Sequence, residues 1–173
     1  MAIEDLLMLQ FDIRDIPEGK SSKNVHLPEK YFDLDDDCEL SEAKVSIEFF
    51  RADHFIKVSF NVNADLLLTC DRCLEEFEFD TSGNFDVLFE PGDVEEFESE
   101  GSAVRRIDSE SLQLNIEKEV RDTILLKVPG RKIHPKFINE DGSVSEFKTR
   151  KFGDFNDEEN KIDPRWEELN KLK

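Results

Sequence analysis

Apolar and polar residues alternate through most of residues 44–91, and this pattern constrains the fold more than any other feature of the sequence. The alternating runs are residues 45–49, 56–68, 77–79 and 85–89. A period of two places the apolar side chains on one face of a strand. Short polar stretches between the runs, among them residues 80–84 with Gly83, predict turns. The pattern therefore predicts an antiparallel β-meander in a sheet of about five or six strands, either open or barrel-like.

The residues before this meander predict one more strand and two connecting segments. Apolar residues alternate from Leu7 to Ile13, which predicts a half-buried strand within residues 1–16. Residues 21–24, with the sequence SSKN, predict a loop, and the acidic run DLDDD within residues 31–38 predicts a solvated connector. The chain has 15 Phe but one Tyr and one Trp. We therefore expect Phe side chains to form much of the core, in preference to a stacking surface for RNA.

Beyond residue 110 the apolar period lengthens to about four, which indicates an amphipathic helix from Ser111 to Leu126. Asp108 or Ser109 can cap its start, and Pro129 with the following glycine ends it. The apolar stripe consists of Leu112, Ile116, Val120 and Ile124. This helix is the expected cover for the apolar face of the sheet, so the predicted fold class is α+β.

Two polar segments and a short C-terminal helix complete the single domain that we expect over residues 1–173. Residues 91–103 combine Pro, Gly and Glu, and residues 130–160 contain few large apolar side chains, so both segments are predicted to be flexible. Asp163 can cap the C-terminal helix, and Pro164 suits its first turn. The apolar face of that helix consists of Trp166, Leu169 and Leu172.

The chain is strongly acidic, with 42 acidic and 23 basic residues and a formal net charge of −19. Proteins that bind phosphate backbones gain affinity from cationic side chains, so this charge disfavours broad nucleic-acid binding. An acidic surface suits a basic partner, because complementary charge speeds association. Ribosomal proteins are an abundant basic class. The alternative is that the charge serves solubility alone.

The N-terminal residues and the cysteine count favour a cytoplasmic protein. The first residues lack a basic stretch followed by an apolar run, as a secretory signal would require. No segment approaches the roughly 20 apolar residues of a membrane span, so no membrane partner is expected. The odd number of cysteines, which are Cys38, Cys70 and Cys73, fits a reducing compartment.

Cys70 and Cys73 have the spacing of two zinc ligands on one turn. Two further ligands would have to come from Cys38 or from the three histidines, none of which forms a second pair of that spacing. A redox role usually places the pair at a helix start, whereas this pair lies between predicted strands. A plain turn with two small thiols, a zinc site and a redox pair are the three alternatives. No cofactor is expected unless the pair binds zinc.

None of the familiar catalytic motifs is present in the sequence. The three histidines are widely scattered, and there is no GxSxG, no HExxH and no glycine-rich phosphate loop. The acidic residues occur in solvated runs such as residues 35–37 and 95–100. We therefore expect that the protein is not an enzyme.

Residues 127–151 reverse the charge balance of the chain, with seven basic residues against three acidic ones. This segment is the expected contact for RNA or for an acidic patch on a partner. The candidate contact residues are Arg131, Lys132 and Lys136, together with Arg72 beside the cysteine pair. The alternative is that these cations balance acidic groups of the protein itself.

Three segments match one known family in order and spacing. They are LLLTCDRCLEEF at residues 66–77, EVRDTILLKVPGRKIH at residues 119–134 and IDPRWEELNKLK at residues 162–173. Together they resemble the YceD-like large ribosomal RNA subunit accumulation proteins. The resemblance implies a role in ribosome assembly, and it adds Asp163, Pro164 and Arg165 of the third segment to the candidate partner contacts.

The chain departs from the family at one point. Many members carry further cysteines after the Pro of the second segment, whereas residues 130–142 contain none, which argues against a four-cysteine zinc site. The hypothesis is a non-catalytic factor in large-subunit assembly or 23S-type ribosomal RNA accumulation that binds a basic ribosomal protein or pre-ribosomal RNA. The alternative is a small metal- or redox-dependent protein built on Cys70 and Cys73.

Overall fold

The structure is a computed structural model that describes residues 8–107 and 112–145 of the chain. The strands are β1 (Gln10–Asp12), β2 (Gly19–Leu27), β3 (Cys38–Arg51), β4 (Ile56–Thr69), β5 (Glu76–Glu90), β6 (Phe97–Ser99), β7 (Ser102–Arg106) and β8 (Gln113–Asn115). The helix α1 spans Glu117–Leu125, and short 3-10 helices lie at Ile13–Asp15 and Pro135–Phe137. The predicted helix at Asp163 and Pro164 lies outside the described residues. A single domain over residues 1–173 therefore stays a prediction.

Six strands form one sheet in the order β2-β3-β4-β5-β7-β6. The meander prediction is confirmed for β3, β4 and β5, which pair antiparallel in sequence order. The prediction of a purely antiparallel sheet is wrong, because β7 pairs parallel to β5. Among the described strands β2 and β6 are open edges, so the barrel-like alternative is also wrong. The α+β class is confirmed.

The inner face of this sheet carries the core, as the alternation predicted. Inward side chains of β3 and β4 are buried and their neighbours face outward. Four phenylalanines of this sheet contribute to the core, namely Phe49, Phe60, Phe77 and Phe89, and Phe11 and Phe32 join them from outside the sheet. Full burial of one such side chain stabilises a fold by about 1.5–3 kcal/mol. The expectation that Phe forms much of the core is therefore confirmed.

Helix α1 covers the inner face and contacts β4 and β5. It begins at Glu117, later than the predicted Ser111, because Gln113–Asn115 form β8. This strand pairs antiparallel with β1 in a separate two-stranded sheet. The buried Leu114 and Ile116 are two residues apart, as on one face of a strand, and only Ile116 also belongs to the predicted helical stripe. Pairing with β1 therefore replaces the first part of the predicted helix.

The N-cap residue of α1 is Ile116, which makes no side-chain capping bond, and a neighbouring residue that the sequence reasoning did not select bonds to the first N–H of the helix. The N–H of Glu117 donates to Oδ1 of Asn115 at 2.9 Å. The predicted caps, Asp108 and Ser109, lie outside the described residues. Glu117 and Glu119 place negative charge in the first turn, where the helix dipole favours it.

Strand β5 runs unbroken from Glu76 to Glu90, so the predicted turn at residues 80–84 is wrong. Gly83 lies in the middle of the strand, opposite Val62, and is buried. A Cβ at this position would lie 2.5 Å from Cγ2 of Thr123 in α1. The glycine therefore allows the helix to approach the sheet closely, which is the usual reason for a glycine inside a strand.

The edge strand β2 replaces the loop that was predicted for residues 21–24. Polar side chains are common on such a strand, because one side of it faces solvent. Lys23 is opposite the buried Ile47 and lies on the inner face, with its Nζ 5.0 Å from the ring centroid of Phe11. The strand predicted within residues 1–16 is confirmed only for Gln10–Asp12.

Residues 91–103 contribute β6 and the start of β7, so the loop prediction is wrong from Phe97 onward. Arg105 anchors this region, since its Nε donates to Oε1 of the buried Glu119 at 2.9 Å and its guanidinium also pairs with Glu98. Composition alone did not predict these strands, because Arg105, the cation that holds them, lies beyond the polar residues 91–103. Flexibility of residues 91–96 stays a prediction.

Candidate functional site

The two cysteines lie in the connection between β4 and β5, which we call the cysteine turn (residues 70–75). The N–H of Cys70 donates to the carbonyl of Glu75 at 2.9 Å, and the N–H of Leu74 donates to the carbonyl of Cys70 at 2.9 Å. Residues 71–73 adopt turn conformation. The prediction that the pair follows one strand and precedes another is therefore confirmed.

Leu74 is an unusual residue in this turn, and sequence reasoning missed it. Its φ is 59°, in the left-handed region that costs an ordinary residue roughly 1–2 kcal/mol. Its side chain is 78% exposed, so the strain is not offset by burial. Backbone strain of this kind occurs preferentially at functional sites. The only sign of this strain in the sequence is that the turn has neither Gly nor Asn, the residues that adopt a left-handed backbone easily.

The thiol of Cys70 is buried and accepts hydrogen bonds from two backbone N–H groups. These belong to His134, at 3.2 Å, and to Arg72, at 3.4 Å. Burial raises the pKa of the Cys70 thiol, but the hydrogen bonds from His134, Arg72 and Cys73 together outweigh burial and hold that pKa below its usual value. Burial has the opposite result at Cys38, whose pKa it raises. The two thiols therefore differ because only one is surrounded by donors.

Residues 131–137, which we call the basic segment, lie against the cysteine turn. The N–H of Asp71 donates to the carbonyl of Lys132 at 2.8 Å, and the N–H of Lys132 donates to Oδ2 of Asp71 at 2.7 Å. With the bond from His134 to the Cys70 thiol, three hydrogen bonds join these distant parts of the chain. This part of the predicted flexible segment 130–160 is thus anchored to the turn.

Several charges of the basic segment are balanced by neighbouring groups. Nζ of Lys132 lies 3.6 Å from Oδ2 of Asp37, and Lys136 forms an ion pair with Glu75. The guanidinium of Arg72 stacks over the Phe137 ring at 4.2 Å from its centroid. The alternative in which these cations balance acidic groups of the protein itself therefore accounts for two of the lysines.

The structure brings three of the predicted contact residues together and leaves the others apart. Arg72, Lys132 and Lys136 meet at the cysteine turn. Arg131 is exposed and has no ion-pair partner among the described residues. The remaining candidates, Asp163, Pro164 and Arg165, lie outside the described residues.

Among the described residues, the donor groups around the cysteine pair do not supply the further ligands that a zinc ion would need. His134 is joined to the pair by the bond from its backbone N–H to the Cys70 thiol. Its ring centroid lies 5.6 Å from that of Phe77, and its Nδ1 accepts from the N–H of Lys136. No three His, Cys, Asp or Glu side chains within residues 8–107 and 112–145 converge to hold a metal ion. Tetrahedral zinc requires four ligands. A metal or redox role for Cys70 and Cys73 stays a prediction.

Replacing Asp71 with alanine is expected to release the basic segment from the cysteine turn. The change removes the acceptor for the Lys132 N–H, and one such charge-assisted bond contributes roughly 1.5–3 kcal/mol. Trypsin should then cleave after Arg131 and Lys132 about tenfold faster or more, because local opening becomes easier. The control variant is Asp36→Ala, because Asp36 is also exposed but accepts no hydrogen bond from the basic segment. Unchanged cleavage in Asp71→Ala would contradict the anchoring role.

The described helices include none with the length and apolar character needed to cross a membrane.

Comparison with known proteins assigns the chain to a family. Residues 58–173 match the family described as "Large ribosomal RNA subunit accumulation protein YceD". The match begins in β4 and includes both the cysteine turn and the basic segment. No curated protein and no solved structure matches the chain significantly. Because the family match covers well over half of the sequence, this chain belongs to the YceD family of large ribosomal RNA subunit accumulation proteins.

Proposed function

We propose that this protein is a non-catalytic factor in the assembly of the large ribosomal subunit and the accumulation of its 23S-type RNA. It acts in the cytoplasm by binding a basic ribosomal protein. Family membership supports the ribosomal role. The net charge of −19 is the observation that carries the choice of partner. Surface charge of one sign favours partners of the other sign and speeds their association.

The contacts of the basic segment support a protein partner over an RNA partner. Binding to RNA gains affinity when free cations displace the counterions of phosphates. Lys132 and Lys136 are already paired with Asp37 and Glu75, so binding to phosphate would require these ion pairs to break. The segment that is richest in cations is therefore poorly prepared to contact RNA.

Pre-ribosomal RNA is the second candidate partner, and the exposed side chain of Arg131 favours it. Arg72 and the three candidates at residues 163–165 would belong to the same contact. Arginine is the residue that best suits phosphate groups and unstacked bases. The two candidates differ in one simple respect, because only an RNA-mediated complex depends on intact RNA.

Affinity capture with the full chain tests the choice of partner. We expect large-subunit ribosomal proteins to remain bound after nuclease treatment and to be released by rising salt, because screening weakens contacts between surface charges. Loss of all ribosomal proteins on nuclease treatment would assign the contact to RNA. Recovery of no ribosomal component in either arm would reject both partners.

Depletion of the protein tests the role itself. We expect the amount of large-subunit ribosomal RNA to fall relative to small-subunit RNA and to return as the protein is restored. A binding factor acts in proportion to its amount, so the recovery should follow protein level. Full recovery at trace amounts would point to catalysis. An unchanged RNA ratio after depletion would remove the proposed role.

A further inference from the structure

The outer face of the six-stranded sheet is uncovered among the described residues, whereas the inner face is covered by α1 and β1. Strand pairing aligns the outward side chains of β2 to β5 in rows that cross the sheet. One such row consists of Asn24, Ser46, Asn61 and Asn84. These side chains are exposed. Short Ser and Asn side chains offer adaptable hydrogen bonds, as they do in antibody binding loops.

An acidic row crosses the same face nearer the cysteine turn. It consists of Glu42, Asp65 and Asp80, because Glu42 is opposite Asp65 across β3 and β4, and Asp65 is opposite Asp80 across β4 and β5. Together with Ser41, Leu66 and Glu78 these residues line an open cleft of about 350 Å³. Glu42 contacts Lys44 on its own strand and His26 on β2. Asp65 and Asp80 have no ion-pair partner within the described residues.

The acidic row opposes folding, which is unexpected for a surface without a role. Like charges directly opposite each other in a sheet are destabilising. Burial first, and then the carboxylates of Asp80 and Glu42, raise the pKa of Asp65 above its usual value, and the nearby Lys44 ammonium group offsets only part of this rise. A cation placed between these carboxylates would relieve the repulsion. Because its three carboxylates lie next to one another, the row is the place on this face where such a cation gains most.

We propose that the acidic row, with the exposed Ser and Asn side chains farther along the same face, forms the surface that docks a lysine- and arginine-rich polypeptide segment of a partner protein. This inference rests on the proposed function and names the surface through which it operates. Adjacent strands lie about 4.8 Å apart, so the row spans about 10 Å. That length matches successive cationic side chains on one face of an extended or helical segment.

A triple variant that neutralises the row tests this surface. The changes Glu42→Gln, Asp65→Asn and Asp80→Asn preserve side-chain size and remove three charges. The control variant removes three exposed charges elsewhere, through Asp53→Asn, Glu95→Gln and Glu100→Gln. Both variants therefore have the same net charge. Asp53 lies in the turn between β3 and β4, at the other end of these strands from the row.

The probe is the total protein of large ribosomal subunits, freed of RNA and applied to the immobilised full chain. We expect the row variant to retain roughly tenfold less probe than the wild type, since three exposed ion pairs together have an effect of that order. The control variant should retain as much as the wild type. If the row variant retains as much probe as the wild type, or if the control variant loses as much as the row variant, the acidic row is not the docking surface, while the proposed partner class still stands. No retention by the wild type overturns the proposed partner class as well.

Carboxyl labelling of the full chain identifies the occupant. In the free protein Asp65 and Asp80 should react with a carbodiimide and an amine, and the same probe should protect them. Protection that is already complete in the free protein would show that residues 146–173, or a second copy at high concentration, occupy the face. That result would overturn docking of a partner segment.

The stability of Asp65→Asn provides an independent readout. An acid with a raised pKa in the folded state costs stability when it ionises, and the cost disappears as the pH falls through the folded pKa. Asparagine is permanently neutral, so we expect Tm at neutral pH to rise by about 1–2 °C, while binding weakens. A fall in Tm would show that Asp65 stabilises the fold and would contradict the selection of this row for binding.

Discussion

Gly83→Ala is expected to destabilise the protein by about 2 kcal/mol, although alanine normally suits a strand better than glycine. The added Cβ would lie 2.5 Å from Cγ2 of Thr123. Thr123 cannot rotate away at low cost, because it is buried and its Oγ1 donates to the carbonyl of Glu119 at 2.6 Å. Helix α1 would have to move from the sheet. Urea denaturation of the variant and the wild type measures the change in the free energy of unfolding, provided that both proteins have the same m-value.

A second substitution tests the mechanism of this effect. Thr123→Ser removes the Cγ2 methyl and keeps the hydroxyl that bonds to Glu119. In the Thr123→Ser background, Gly83→Ala should cost less than about 1 kcal/mol, since the new methyl occupies the space that was vacated. Equal destabilisation in both backgrounds would show that Gly83 is required for a reason other than close approach of the helix.

Arg105→Met is expected to lower the free energy of unfolding by about 3 kcal/mol, because it leaves a buried carboxylate without its cation. Glu119 is 7% exposed, and its Oε1 accepts from Nε of Arg105 at 2.9 Å. The same change removes the link from β7 to α1, so β6 and β7 should exchange their amide hydrogens faster. Chemical denaturation and hydrogen exchange measure the two consequences.

The control for this prediction lies in the same cluster of charges. Lys118 donates to Glu98 at 2.7 Å, but both side chains are more than half exposed. Lys118→Met should therefore change stability by less than about 1 kcal/mol. The double variant Arg105→Met/Glu119→Met should recover most of the loss, because no buried charge is left unpaired. Equal losses for Arg105→Met and Lys118→Met would contradict the importance of burial.

The long strands could be predicted because their cause is local. In β3 and β4 nearly every second residue is apolar, and a period of two has only one regular structure that buries such a face. The core role of Phe49, Phe60 and Phe89 followed from the same pattern. The parallel pairing of β7 with β5 could not be predicted in this way, because the residues of β7 carry no sign of their neighbour.

The wrong predictions share a physical cause, since tertiary contacts decided between two local possibilities. Gly83 in a polar stretch is typical of a turn, but the nearby Thr123 of α1 explains it as a point of close approach. Gln113–Asn115 fitted the first turn of the predicted helix, but β1 was available as a pairing partner. Sequence periodicity contains no information on which partner is present.

In the candidate site too, the local features could be predicted from the sequence and the long-range contacts could not. The turn at Cys70 and Cys73 was recognisable from spacing alone. The docking of Lys132 and His134 onto that turn was not, since these residues are some sixty positions away and are joined to it by backbone hydrogen bonds. Asp71 and Phe137 were missed for this reason. Asp71 lies within the first family segment and Phe137 three residues after the second, and this was the one signal that could have drawn attention to them.

The position of Lys23 on the edge strand has a consequence for the protein at high concentration. Another chain that added a strand to β2 would enclose the Lys23 ammonium group between two apolar surfaces, away from water. That enclosure is costly, so Lys23 disfavours growth of the sheet from molecule to molecule at this edge. The nine residues of β2 can thus form an open edge with little tendency to add a further strand.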